Sequence, residues 1–357
     1  MVDGRSGNHN EKFNLFGRYS HLDFFTFNEA TFGPVLQGQP IAGGNPGTGE
    51  GTTKSFSVGG VYTFAPNFVV DANFGYVRMY TGVAQSDIDK TTSEILGVDI
   101  PGTNGAKDYE GGLARFNISG FERYGITEAY MPYYRDDPQF QYVVNANWTK
   151  GAHNIRFGSD IYIQRLNHTQ PEFLGTSFGA RGGFDFGSGP TQLCARLNAN
   201  GTCGATSRSS QYNSWATFLL GLPTQLGRLA LFDAPYTTRN RAYSFYARDQ
   251  WQVNNKLTLS LGTRWEYFPM PTRADRGLER YNPETNKVEI GGVGSVPEDL
   301  GVEVSKRMFA PRIGLAYRTS TTRTATRTAP TSAKSPARAA ISGSSGSVSV
   351  WASEPAA

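Results

Sequence analysis

The chain has 357 residues, with 42 Gly, 13% aromatic and only 18% charged residues, and a net charge of +4. That small, scattered excess gives no basic footprint for nucleic acid. Mean hydropathy is −0.42, and no apolar run approaches the roughly 18 residues of a membrane helix, so helical spanning is excluded.

Abundant glycine and aromatics with few charges suit strands and turns, in one large β domain or two ordinary ones. The opening MVDGRSGNHNEKFN is polar and has no apolar h-region, so no signal peptide is visible. It fits either a cytoplasmic chain or a piece that starts inside a longer protein, and we favour the piece.

Lys12 to His21 is the first expected strand. Phe13, Leu15, Gly17 and Tyr19 share one face and Asn14, Phe16, Arg18 and Ser20 the other, because strand side chains alternate with period 2. The Gly/Pro-rich stretch that follows ends in GGNPGTGEGTTK. Its spacing is not that of a phosphate loop, since Lys54 follows Thr53 rather than Gly, and no helical pattern comes after it. A long exposed loop to Thr53 is expected.

Ser55–Phe64 and Phe68–Met79 read as a hairpin turning at Ala65-Pro66-Asn67. Phe56, Val58, Tyr62, Phe68, Val70, Phe74 and Tyr76 alternate with small or polar residues, among them Asp71 and Asn73 in mid-strand. A dry core would not accept those two unpaired. Residues 81–137 look irregular and too long for a compact-domain loop. Gln139–Lys150 and His153–Asn167 form the next hairpin, around Gly151.

Residues 169–210 read as another long loop with a short strand in GGFDF. It carries both cysteines, Cys194 and Cys203. So close a pair fits a disulfide in an oxidising compartment, or two isolated thiols in a reducing one. Zinc is disfavoured, because there is no second pair and no nearby His. YNSWATFLLG (212–221) suggests a short helix or turn, and residues 225–232 a weaker strand.

Arg241 to Phe268 is the clearest hairpin. Tyr243, Phe245, Ala247, Asp249 and Trp251 oppose Tyr246, Arg248 and Gln250. After the turn residues Asn254-Asn255, Leu257, Leu259, Leu261 and Trp265 oppose Ser260, Arg264 and Glu266. A loop over 269–306 and a strand over Phe309–Arg318 complete the pattern.

Long strands, short turns at one end and long loops at the other are the asymmetry of membrane barrels. The expected fold is therefore all-β: an antiparallel transmembrane β-barrel, incomplete, with about ten strands over residues 1–318 and long extracellular loops. Phe64, Phe68, Trp148 and Trp251 beside the short turns are the expected interfacial aromatics. Arg156, Asp160, Arg248, Arg264 and Glu266 are the expected lumen-facing polar groups, holding an internal domain or simply keeping the wall wet.

Residues 319–357 are almost all Thr, Ser, Ala, Arg, Pro and Gly, a composition expected to be disordered. They read as a natural linker or as out-of-frame translation. We favour the latter, because the break leaves the preceding strand without its hairpin partner.

No residue is assigned to catalysis, cofactor or metal. His9, His21, His153 and His168 lack ligand spacing, no G-x-S-x-G elbow occurs, and Asp136-Asp137 and Glu298-Asp299 read as solvated turns.

YSFYARDQWQVNNKLTLSLGTRWEY, with FLLGLP (Phe218–Pro223), NISGF (Asn117–Phe121) and APRIGLAYR (Ala310–Arg318), resembles the barrel of TonB-dependent transporters of the Oar-like type. The resemblance covers Phe13 to Arg318 and implies a Gram-negative outer-membrane protein. It also implies a roughly 22-stranded barrel closed by an N-terminal plug and energised by TonB. No plug, TonB box or terminal assembly strand is recognisable, so plug and TonB are expected partners only of a full-length protein, and outer-membrane lipid a partner of the strands. The implied cargo is a small molecule, glycan or peptide. Two other functions stay open: a surface binding or adhesion β-protein without transport, and a soluble carbohydrate-active β-protein with acidic residues converging in a cleft.

Overall fold

A computed structural model of the protein describes residues 2–10, 12–41, 43–100, 103, 109–125, 131–171, 178–206, 210–231 and 233–318. The low-complexity segment 319–357 lies outside the described residues. Among the described residues sixteen strands, three short α-helices and one 3-10 turn (Gly189–Thr191) form. The first strands are β1 (Val2–His9), β2 (Phe13–Asn28), β3 (Gly47–Ala65) and β4 (Phe68–Ala84), with α1 (Gly33–Leu36) between β2 and β3. Next come α2 (Thr92–Leu96), β5 (Arg115–Ile118), β6 (Tyr133–Lys150), β7 (His153–Thr169) and β8 (Gly183–Phe186). They are followed by β9 (Cys194–Leu197), β10 (Cys203–Thr206), α3 (Gln211–Leu219), β11 (Gln225–Gly227) and β12 (Tyr236–Gln252). The last are β13 (Leu257–Tyr267), β14 (Glu279–Asn282), β15 (Lys287–Ile290) and β16 (Phe309–Tyr317).

Nine strands make one antiparallel sheet in the order β1-β2-β3-β4-β6-β7-β12-β13-β16. Their connections alternate between short and long. Residues 10–12, 66–67, 151–152 and 253–256 turn at one end, whereas residues 29–46, 85–132, 170–235 and 268–308 connect at the other. Gly151 takes φ +58, the left-handed conformation that lets two residues reverse the chain between β6 and β7.

Register sets the two faces. Phe56, Tyr76 and Phe140 lie side by side, as do Val58, Phe74 and Tyr142. On the far strands Phe245 pairs with Trp265, which pairs with Phe309. This aromatic face runs for nine residues along β4, from Phe68 to Tyr76. At about 3.3 Å per residue and a barrel tilt near 40°, nine residues rise about 23 Å, close to the apolar height of a membrane barrel. Phe64 (60%) and Ile313 (72%) remain exposed on it. A continuous apolar surface this broad needs a cover other than water.

The strands are longer than the alternation predicts. Residues 22–28 and 47–53 are strand, not exposed loop, and β4 and β6 extend to Ala84 and back to Tyr133 inside the stretch expected to be irregular. Beyond the aromatic band the two faces no longer differ in polarity, with Phe24 and Phe25 of β2 on opposite faces beside Gly51 and Glu50 of β3, so alternation fades while pairing continues. Gly49 and Gly51 fit because the side chains of Thr26 and Phe24 lie over them from β2. Strand β1, from a segment with no apolar pattern, pairs along its length with β2. A small β14–β15 hairpin also forms within the stretch expected to be only loop.

The dry core of the described residues sits not in the wall but among the long connections. Leu113, Ala114, Ile118, Met131, Ala180 and Phe186 are buried there. The strand order β11-β8-β5 joins residues from two connections, with β5 parallel to β8. Helix α3 covers them, placing Phe218 5.2 Å from Phe186 and Trp215 5.2 Å from Phe121. The NISGF and FLLGLP segments, distant in sequence, thus meet in one cluster. A third connection joins through Gly125, whose N–H donates to Leu36 O at 2.9 Å.

Candidate functional site

The face opposite the aromatics is a hydrogen-bonded polar surface. Asn145 Nδ2 donates to Asp71 at 2.7 Å, and Tyr246 Oη donates to Asn145 Oδ1 at 2.6 Å, linking β4, β6 and β12 across β7. The bridge over β7 passes at Gly158, which pairs with both Asn145 and Tyr246 and leaves room for it. Gln141 donates to Asp160 at 3.0 Å. Farther from the turns, Asp137 is 0% exposed yet accepts from Arg135 (2.8 Å), Gln139 (3.1 Å) and Gln164 (2.9 Å). Three charge-assisted or amide donors compensate its burial, as a buried carboxylate requires.

All five polar residues singled out from sequence lie on this face. Arg156 pairs directly with Arg248, Arg248 with Gly262, and Gly262 with Arg312. Arg264 sits one row away and donates to Glu266 at 2.8 Å. The four arginines rim a cavity of about 570 Å³ whose floor is Ser260, Gly262, Gly314 and Ala316. Small floor residues let the guanidinium groups stand clear of the sheet. Arg156, Arg248 and Arg312 make no ion pair or side-chain hydrogen bond among the described residues. The sequence reading missed Arg312, although its strand was recognised, because only interstrand register sets it beside Gly262.

The four turn-end aromatics gather on the other face. Phe64 stands 5.6 Å from Phe68, which pairs with Trp148, and Lys150 lies over the Trp148 ring at 5.2 Å. Trp251 stacks on His153 at 5.3 Å, and His153 Nδ1 lies 2.7 Å from Asp249. Asp249 therefore has a partner on an otherwise apolar face.

Cys194 and Cys203 form a disulfide with Cα atoms 5.6 Å apart, pinning the exposed β9–β10 hairpin. Among the connections, Asp87 accepts from Leu113 N–H at 2.8 Å, and burial pushes its carboxyl above the usual range despite that bond. Arg273, whose side chain is buried, donates to Glu279 and to Thr237 O and lies over the Tyr236 ring. Its hydrogen bond holds Glu279 below the usual carboxylate range against the effect of burial. Among the described residues no group of acidic, His or Cys side chains is arranged to hold a metal.

None of the curated proteins matches the chain. Among solved structures it is similar to BauA, the ferric preacinetobactin receptor from Acinetobacter baumannii, at 12% identity over 89% of this chain and 37% of that one, with TM-score 0.37. It is similar to FpvA of P. aeruginosa, solved with bound pyoverdines, at 12% identity over 89% of this chain and 33% of that one, TM-score 0.40. A third is the ferric-catecholate import receptor Fiu from E. coli, at 11% identity over 87% and 39%, TM-score 0.33. The chain spans 33–39% of the length of these receptors. Residues 6–333 match the family model described as the outer membrane beta barrel domain, and the chain belongs to that family.

Proposed function

We propose that residues 1–318 form part of the wall of an outer-membrane receptor that transports a solute with energy from TonB. The aromatic face meets lipid, the polar face lines the lumen, and the long connections form the outer surface. The supporting observation is the division of one sheet into a nine-residue aromatic band and a polar face bonded from Asp71 to Tyr246. A soluble enzyme gains nothing from leaving that band uncovered, and the polar face brings together unpaired arginines rather than a cleft of paired carboxylates.

In this reading Arg156, Arg248 and Arg312 present positive charge to whatever occupies the lumen, whether an internal domain or an anionic solute. Their place near the short turns puts them at the inner mouth of the wall. The co-folded outer connections supply the surface that first meets the solute.

Thiol labelling in intact cells tests this. Arg248→Cys should react with a charged sulfonate thiol reagent small enough to enter the periplasm, and Leu261→Cys on the aromatic face should not. Dissipating the proton-motive force should change the Arg248→Cys rate severalfold. Labelling that ignores energisation would favour a static surface-binding protein, and equal labelling of both positions would refute the assignment of faces.

A further inference from the structure

Where β12 and β13 run past the aromatic band, the connection 268–308 folds back and leaves a hollow of about 970 Å³ against their outer side. One wall of the hollow is the sheet. Arg241 pairs with Ile163 one row above Tyr243, and Tyr243 pairs with Tyr267, so Arg241 and Tyr267 border it from the aromatic side. The other wall is the returning arm 297–307, whose backbone is fixed at both ends. The Glu298 carbonyl oxygen lies so close to Gly277 and Gly291 that a Cβ on either would stand 2.0 or 2.4 Å from it. Leu300, at φ +57 and 6% exposed, is buried in the same turn, and its N–H donates to Pro297 O at 2.9 Å. At the far end Trp265 Nε1 donates to Lys306 O at 2.7 Å, and Glu266 N–H to Met308 O at 3.1 Å.

Both signs of charge line this hollow: Arg239, Arg241, Lys306 and Arg307 against Glu298, Asp299 and Glu303. Two of these groups are already engaged. Arg239 donates to Leu166 O, Thr238 O and Asn167 Oδ1 at 2.8, 3.2 and 2.9 Å, and Asp299 accepts from Gly301 N–H at 3.0 Å. The side chains of Arg241, Lys306, Arg307, Glu298 and Glu303 make no ion pair or hydrogen bond among the described residues, although they border one cavity. Neighbouring charges do not fill the gap. Arg273 and Arg276 hold Glu279, Arg276 also holds Asp233, and Arg165, which pairs with Arg239, leans over the Phe140 ring at 5.8 Å. Tyr267, Met270 and Val302 add apolar lining.

We propose that this hollow binds a short peptide, with its terminal carboxylate on Arg241 and Arg307 and its terminal ammonium on Glu298 and Glu303. A ligand carrying only negative charge would meet two unpaired carboxylates, and one carrying only positive charge would meet three unpaired cations. The arrangement therefore selects a ligand that carries both signs. Guanidinium groups take a carboxylate through two parallel N–H bonds, and neither Arg241 nor Arg307 has another partner to give up. The volume lies near the top of the range of about 300–1,000 Å³ for small-ligand sites, which is more room than one amino acid needs. Because the arm's backbone is already fixed, binding has only side chains to order. The hollow lies on the outer side of the wall and not in the lumen, so the proposal goes beyond transport and does not depend on it.

Calorimetric titration of the purified chain in neutral maltoside micelles at low salt tests this, with the tetrapeptide Ala-Leu-Leu-Ala as probe. The peptide with free ends should bind, and N-acetylation or C-amidation should each weaken binding by about tenfold. Arg241→Gln/Arg307→Gln should weaken binding of the free peptide by about tenfold and abolish the effect of C-amidation. Glu298→Gln/Glu303→Gln should instead abolish the effect of N-acetylation. None of these four side chains makes an internal bond, so both variants keep the fold. Glycerophosphocholine, a zwitterionic lipid headgroup, should compete at least about tenfold less well than the peptide. No binding of the free peptide up to about 10 mM overturns the proposal, as does equal binding of free and capped peptides. Unchanged binding by both variants, or equal competition by glycerophosphocholine, overturns it too.

Discussion

Val143 and Val144 are neighbours in sequence on opposite faces of β6, in the middle of the aromatic band. Val144 pairs with Ala72 and Ser159 and is 44% exposed on the aromatic side. Val143 pairs with Asn73 and Asp160 on the polar side. If the aromatic side faces hydrocarbon, Val144→Arg places a guanidinium near the bilayer centre, where it costs about 2–4 kcal/mol. Val143→Arg enters a wet surface with the Asp160 carboxylate alongside, and its cost should stay below about 1 kcal/mol. The difference, about 1–4 kcal/mol, should appear as a shift of the guanidinium midpoint for unfolding from phosphatidylcholine vesicles, followed by tryptophan fluorescence. A sandwich with both faces packed predicts a large cost at both positions. Equal costs, or a larger cost at Val143, would refute the assignment of faces.

Three further outcomes test the connections. Replacing Cys194 and Cys203 by Ser should loosen the β9–β10 hairpin by about 2.5–3 kcal/mol, from closure of a loop of about ten residues. Amide exchange should therefore quicken over Cys194–Thr206 and stay unchanged in the wall. Glu279 has a lowered pKa, so its contribution is full above its unfolded value of 4.5 and is lost as pH falls through the lower folded value. Proteolytic nicking of residues 280–300 should rise on that acid side, and in Glu279→Gln should already be raised at pH 7 and vary little with acid. Asp87 has the opposite sign. Its raised pKa means stability declines as pH rises from 3.8 through the folded value, and Asp87→Asn should remove that slope in the same assay around residues 85–113.

The wall was legible in the sequence where its two faces differ in polarity. Phe68–Tyr76 and Tyr243–Trp251 announce themselves by period 2 because one face needs apolar groups and the other does not. The same strands became illegible above the band. Thr48 to Thr53 have no apolar face to keep, and their glycines read as loop chemistry, yet the ladder continues to Gly47. The polar face residues could be placed by parity alone, since parity within a strand is a local property.

What parity cannot supply is which residue of one strand stands beside which of the next. Asp71, Asn145 and Tyr246 span more than half the described chain, and their contact depends on three registers set independently by three turns or connections. Arg312 was hidden for the same reason. A one-residue slip in β16 would carry it from beside Gly262 to the aromatic face. The fold therefore follows from composition and period, whereas each candidate site is a property of register. Function in such a wall is written across strands, at right angles to the direction in which the sequence is read.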